Sequence, residues 1–135
     1  MARALVDPGA TVGLADPGYV GAIQAFGLSG ARWLALPGDT DGLAVDVLEE
    51  RLRGGTRPAL VYVVPNFHNP TGATLSLERR VALGRLSDHY GFVIVEDDPY
   101  RELRWAGPTL PSLGGFADQV VTLGSFSKTL CPGLR

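Results

Sequence analysis

Cysteine is nearly absent. Cys131 stands alone, so neither an intrachain disulfide nor a multi-cysteine metal site can form. Two well-separated histidines add little that a metal could use. No charge of one sign dominates: 12 Lys and Arg face 14 Asp and Glu, a net −2. Without a basic excess to neutralise phosphates, nucleic acid is not an expected partner. No apolar run approaches the ~20 residues that span a bilayer, so no membrane role is expected. The opening stretch, Met1 to Pro8, has no signal-peptide core. The expectation is a cytoplasmic chain. Its 135 residues allow at most one domain, and 45% hydrophobic residues suit a buried core. Glycine and proline are plentiful, at 18 and 10, yet short of the level that signals disorder.

Five short apolar runs stand out: Thr11–Ala15, Arg32–Leu36, Ala59–Val64, Phe92–Val95 and Val120–Leu123. Three are almost uninterrupted, without polar/apolar alternation. Strands covered on both faces read this way, which favours a parallel sheet between helical layers. Helical stretches lie between them. Tyr19–Leu28 offers Ile23 and Phe26. Leu43, Val47, Leu48 and Leu52 share a face, with Asp39 and Asp41 as capping candidates and Gly54-Gly55 as a stop. A further helix starts near Ser76, with Glu78 in its first turn, carries Ala82, Leu83, Leu86 and Tyr90, and stops at Gly91. This alternation predicts a doubly wound α/β domain with right-handed crossovers. The ends look unfinished: about one helical turn precedes Asp7, and a new element begins at Thr129. The chain reads as a fragment.

Open α/β sheets bind ligands at the carboxyl ends of their strands. The segment after each strand is therefore informative. Asp16-Pro17-Gly18-Tyr19 comes after the first. Pro65 through Gly72, including Asn69-Pro70-Thr71-Gly72, comes after Val64. Glu96-Asp97-Asp98-Pro99-Tyr100 comes after Val95, and Gly124 through Thr129 after Leu123. An amide, a carboxylate, a phenol, two hydroxyls, an amine and an aromatic ring converge on one edge. That set matches the needs of pyridoxal 5'-phosphate: a lysine for its aldehyde, an acid beside the ring nitrogen, donors near the phenolate, a phosphate cradle and a flat neighbour.

Asn69-Pro70-Thr71-Gly72, Asp97-Asp98-Pro99-Tyr100 and Ser125-Phe126-Ser127-Lys128 through Pro132-Gly133-Leu134-Arg135 occur in one order. In these motifs and their spacing the chain resembles the class I/II aminotransferases, fold-type I pyridoxal-phosphate enzymes. It looks closest to the branch of 2-aminoadipate and kynurenine aminotransferases and of aminotransferase-like domains in bacterial regulators. The resemblance implies a three-layer α/β/α fold with a mainly parallel sheet, of which residues 1–135 are part of the cofactor-binding large domain. An N-terminal segment and a C-terminal small domain would be missing. It also implies a homodimer acting on an amino acid and a 2-oxo acid, and negligible activity for this chain alone.

The same resemblance implies roles for single residues. Lys128 looks like the Schiff-base lysine and proton carrier. Free lysine has a pKa of about 10.4, so the amine must be tuned. Asp97 resembles the partner of the ring nitrogen. Asn69 and Tyr100 resemble the donors to the phenolate oxygen. Ser125, Ser127 and Arg135 resemble the phosphate contacts, arginine because its fork grips two oxygens. Tyr19 resembles the stacking aromatic. Each has a plainer alternative: a surface lysine, a solvated turn acid, a turn residue before Pro70, core packing for Tyr100, an ordinary loop aromatic, caps of a following helix, a frayed terminus. Asp98 reads as a solvated turn or cap carboxylate, His68 as loop packing, and Cys131 as a small packing residue.

Rival functions fit less well. Ser125 to Lys128 satisfies Ser-x-x-Lys, but the companion Ser-Asp-Asn and Lys-Thr-Gly motifs of penicillin-recognising enzymes are missing. Lys128-Thr129 would end a P-loop, but Ser127 stands where a glycine belongs. Two alternatives stay open: a cofactor-binding sensor domain of a bacterial regulator, and a lyase using the same cofactor. Asn-Pro-Thr-Gly and Asp-Asp-Pro-Tyr lean toward the aminotransferase.

Overall fold

The chain alternates strand and helix because its apolar runs are too short for anything but strands; the central runs are covered on both faces, whereas the edge runs stay partly open. The computed structural model describes residues 1–133. Among these residues are four α-helices: α1 (Ala2–Leu5), α2 (Val20–Gly27), α3 (Val45–Arg53) and α4 (Leu77–Tyr90). The strands are β1 (Thr11–Ala15), β2 (Arg32–Leu36), β3 (Gly38–Asp39), β4 (Gly42–Leu43), β5 (Leu60–Val63), β6 (Val93–Asp97) and β7 (Val120–Leu123). Two single-turn 3-10 helices, Arg101–Leu103 and Leu113–Gly115, join β6 to β7.

Five strands make one sheet in the order β2-β1-β5-β6-β7, and every pairing in it is parallel. Side chains alternate faces with period two, so the central strands β5 and β6 feed two cores. Val61, Val63 and Ile94 pack with Leu48 and Leu52 of α3 and Leu83 and Leu86 of α4. Leu60, Tyr62, Val64 and Val95 pack with Ala22 and Phe26 of α2 and with Val6. The result is a three-layer α/β/α arrangement.

Boundaries moved where local hydrogen bonding overrides hydropathy. The predicted strand Phe92–Val95 runs instead to Asp97, because β7 pairs with it that far. Asp39 and Asp41 do not cap α3, whose N-cap is Ala44 without a side-chain bond. A hairpin, β3 with β4, intervenes. Asp39 accepts the Asp41 amide at 2.8 Å and holds Arg79 of α4 through two 2.6 Å bonds. The α4 expectations hold at both ends: Ser76 accepts the Arg79 amide, and Gly91 adopts φ 75°, the left-handed stop. The element expected from Thr129 is no helix among the described residues; backbone bonds from Leu130 and Cys131 to the Phe126 carbonyl make turns instead. Cys131 is exposed rather than packed.

Gly84 shows how tightly the loop before β7 lies on α4. A Cβ there would sit 2.8 Å from the Phe116 carbonyl carbon, with the carbonyl oxygen nearer still. Glycine to alanine inside a helix ordinarily stabilises by about 1 kcal/mol. Here the clash is with backbone, and overpacking costs about 1–3 kcal/mol. Gly84→Ala is therefore expected to lower the urea midpoint; an unchanged or higher midpoint would contradict this packing.

Candidate functional site

Four parallel strands end on one edge, and each delivers its following loop there. After β1, the Asp16 amide bonds the Leu36 carbonyl at 2.8 Å, tying the loop to the edge strand. Tyr19 then becomes the N-cap of α2 and remains 40% exposed. Its ring folds over Gly21, where a Cβ would meet Tyr19 Cζ at 2.6 Å. A glycine at 21 gives the ring its place.

After β5, the loop of residues 65–75 carries Asn69. It closes on itself through Leu75 N to Pro65 O and His68 N to Ala73 O, both 2.8 Å. His68 packs into this loop as expected, with Nδ1 2.9 Å from Thr71 Oγ1; burial lowers its pKa from the usual histidine range. Arg80 of α4 braces the loop from beneath. Fully buried, it donates to the carbonyls of Leu75 (2.9 Å), Pro65 (2.9 Å) and Pro111 (2.8 Å) and to Asn66 Oδ1 (3.0 Å). Loss of solvent pulls its pKa below the usual arginine range, against the charges of Glu96 and Asp98.

After β6 come three acids in succession, and alternation sends them to different surroundings. Glu96 is fully buried. It accepts from Ser112 Oγ, from the Leu113 amide at 3.1 Å and from Thr122 Oγ1 at 3.1 Å. Asp98 corrects a sequence expectation: its side chain is only 3% exposed. It accepts Asn66 Nδ2 at 2.9 Å and Arg101 Nε at 2.7 Å, because the chain turns inward at Pro99 instead of entering solvent. Asp97 lies two residues past Val95 on the same face. Val95 is the register partner of Tyr62, so the Tyr62 hydroxyl reaches Asp97 Oδ2 at 2.5 Å. Burial raises the Asp97 pKa above the ordinary carboxylate range; the Tyr62 bond opposes this, and the charge of Asp98 adds to it. Burial, then the Asp97 bond, hold the Tyr62 proton far above its ordinary range. Among the described residues Asp97 forms no ion pair.

After β7, the Asp98 amide bonds the Leu123 carbonyl at 2.9 Å, which sets Gly124 through Lys128 level with Asp97. The Ser127 amide donates to Ser125 Oγ at 3.0 Å, folding the segment into a tight turn. A cleft of about 500 Å³ results, lined by Tyr19, Val64, Asn69, Asp97, Pro99, Tyr100, Ser125, Ser127 and Lys128. Seven residues singled out from the sequence therefore meet in one place. Arg135, the eighth, lies outside the described residues. Lys128 is exposed at the mouth of this cleft and is the single lysine of the chain. The described residues contain no His, Cys, Asp and Glu group suited to a metal, and no helix long and apolar enough to cross a membrane.

The donor set suits pyridoxal phosphate on chemical grounds. A half-buried carboxylate with no ion-pair partner among the described residues fits a protonated ring nitrogen. An amine, an amide, a phenol and a hydroxyl turn surround it, and the volume lies within the range of small-molecule sites. The residues fit. Sequence reasoning passed over Tyr62, Asn66, Arg80 and Glu96. Arg80 stands three residues before Leu83, on the buried face of a 3.6-residue period, and an arginine there was the missed signal. Tyr62 is the one polar-tipped residue in Leu60–Val64, and a buried hydroxyl needs a partner.

Residues 1–135 match the family described as Aminotransferase class I and II. A 2-aminoadipate transaminase of Thermus thermophilus is 45% identical over 138 residues, covering 98% of this chain and 34% of that protein. A solved α-aminoadipate aminotransferase from the same species, in complex with N-(5'-phosphopyridoxyl)-L-leucine, superposes with TM-score 0.92 at 44% identity, over 98% of this chain and 35% of that one. A probable rhizopine catabolism regulatory protein of Rhizobium meliloti is 35% identical over 137 residues, all of this chain and 27% of that protein. The chain thus spans about a third or less of the relatives it matches.

Proposed function

The chain belongs to the class I and II aminotransferases, and from that premise we propose that it forms the cofactor-holding part of a cytoplasmic, homodimeric aminotransferase. The cofactor is pyridoxal 5'-phosphate. The whole enzyme would move an amino group from an amino acid to a 2-oxo acid. The observation that carries this reading is the convergence of Asn69, Asp97, Tyr100, Ser125, Ser127 and Lys128 on one cleft.

When bound, the cofactor supplies an aldehyde for amine exchange and an aromatic system that delocalises negative charge. The chain's own residues do the rest. Lys128 Nζ is the amine that would hold the cofactor through its aldehyde, and as a free amine it would be the group that accepts and returns a proton at the substrate α-carbon. Asp97 holds a proton at the ring nitrogen through its negative charge. Asn69 and Tyr100 donate to the phenolate oxygen. Ser125 and Ser127 would meet the phosphate, and Arg135 would add a guanidinium to it. Tyr19 packs its ring on the cofactor. Phe126 and Leu130, 66% and 72% exposed, flank Lys128, and a second copy of the protein would cover this apolar rim.

Borohydride reduction of the cofactor-loaded complete polypeptide tests the reading. Peptide mass spectrometry should find the pyridoxyl mass on Lys128. An unmodified Lys128 in protein that has bound the cofactor would overturn the assignment. The similarity to a regulatory protein supports a second reading, a cofactor-dependent sensor. Turnover of amino acid with 2-oxoglutarate separates the two, since a sensor would bind the amino acid without releasing a 2-oxo acid.

A further inference from the structure

We infer that Tyr62 is a positioning residue for Asp97: its hydroxyl fixes one carboxylate oxygen so that the other is presented to the ring nitrogen of the cofactor. This rests on the reading of Asp97 as the ring-nitrogen partner. Tyr62 does not line the cleft; it lies beneath it, 5% exposed. Its ring meets Phe26 of α2 edge to face, with centroids 5.9 Å apart and planes at 70°. The ring stands on strand β5 and packs in the cluster of Phe26, Ala22, Leu60 and Val95, which aims its hydroxyl along the strand ends. It donates to Asp97 Oδ2 at 2.5 Å.

The consequence is both directional and electrostatic. A carboxylate at a strand end can rotate about its last torsion, which is broad and soft. One short bond to a rigid phenol removes that freedom, and only Oδ1 is left for a ligand. The same bond stabilises the ionised form of an acid that burial and Asp98 push toward neutrality. An acid that became neutral would draw the proton from the ring nitrogen to itself. The cofactor would then be a weaker electron sink. Asn66 and Arg101 are engaged by Asp98, so neither takes over this task.

Tyr62→Phe tests the inference in the complete, cofactor-loaded protein. The change conserves volume and the contact with Phe26, so folding should be retained, as read by circular dichroism and melting. With ring-15N-labelled pyridoxal phosphate, the nitrogen signal should move from the protonated toward the neutral range. The amino-acid half-reaction should slow roughly 10- to 100-fold, the worth of one hydrogen bond to a charged group, with less change in KM than in kcat. Asp97→Asn should move the nitrogen signal fully. In the Asp97→Asn background, Tyr62→Phe should have no further effect on either readout. A nitrogen signal unmoved by Tyr62→Phe but moved by Asp97→Asn overturns the role of Tyr62 and leaves that of Asp97 standing. A signal unmoved by Asp97→Asn overturns both. If Tyr62→Phe fails to fold, the same comparison is made with 3-fluorotyrosine at position 62, which keeps the ring, its packing and a hydroxyl that donates at least as strongly. Its ring nitrogen should stay protonated, and a fully neutral nitrogen there would overturn the inference.

Discussion

Lys128→Ala in the complete polypeptide is expected to slow transamination by at least about 10²–10⁴-fold, the worth of a positioned proton carrier alone. The loss should exceed that range if amine exchange is also slowed. No neighbour can substitute, because the other 11 cationic side chains of this segment are arginines. A guanidinium keeps its proton above a pKa of about 12 and is neither nucleophile nor base. For the same reason Lys128→Arg should be about as inactive as Lys128→Ala, although it restores the charge. Single-turnover measurement of the half-reaction with an amino acid separates chemistry from binding. A rate within tenfold of the natural protein in either variant would remove Lys128 from the reaction.

The second large effect is on stability. Arg80→Met is expected to cost roughly 3–5 kcal/mol, the range for breaking a buried charged network. Pro65 O would keep the Leu75 amide, and Asn66 Oδ1 would keep Arg104 at 3.1 Å. Leu75 O would lose its donor in a buried place, at about 1–3 kcal/mol for a buried orphan, whereas Pro111, an exposed residue, could turn its carbonyl to water. An exposed ion pair makes the contrast. Arg53 and Glu49, one helical turn apart on α3, are 69% and 40% exposed, and such a pair is worth about 0.3–0.5 kcal/mol. Urea unfolding of Arg80→Met decides: a loss below about 1 kcal/mol would mean that the loops on either side of α4 do not depend on this side chain. The same variant should also weaken cofactor binding, because the brace holds the loop that carries Asn69.

The layered fold was legible because its signal is redundant. Val61, Val63, Leu60 and Val64 all had to be apolar for a strand covered twice, and no single residue carried the inference. The edge on which the candidate residues meet was legible because the loops after parallel strands gather there, while the roles of single residues came only with the resemblance to a family. What escaped were interactions between elements far apart in sequence. Asp98 looked like a turn acid until Asn66, 32 residues away, was seen to hold it. Asp39 looked like a cap until Arg79, 40 residues on, claimed it. Local patterns report propensity and burial, whereas a hydrogen bond between two loops depends on sheet order, which periodicity leaves unspecified.

The run Glu96-Asp97-Asp98 divides its charges unevenly. Arg101 serves two of the three, 3.6 Å from Glu96 and 2.7 Å from Asp98. On the proposed reading of Asp97, the ligand's ring nitrogen would serve the third, as a structural counter-ion as well as a reagent. By mass action, a ligand at 1,000 times its Kd adds about 4 kcal/mol to the folded state, comparable to the whole Arg80 network. In a cell short of the cofactor, the first casualty would be the amount of this protein, lost to proteolysis of its unfolded fraction, before any fall in the speed of the molecules that remain.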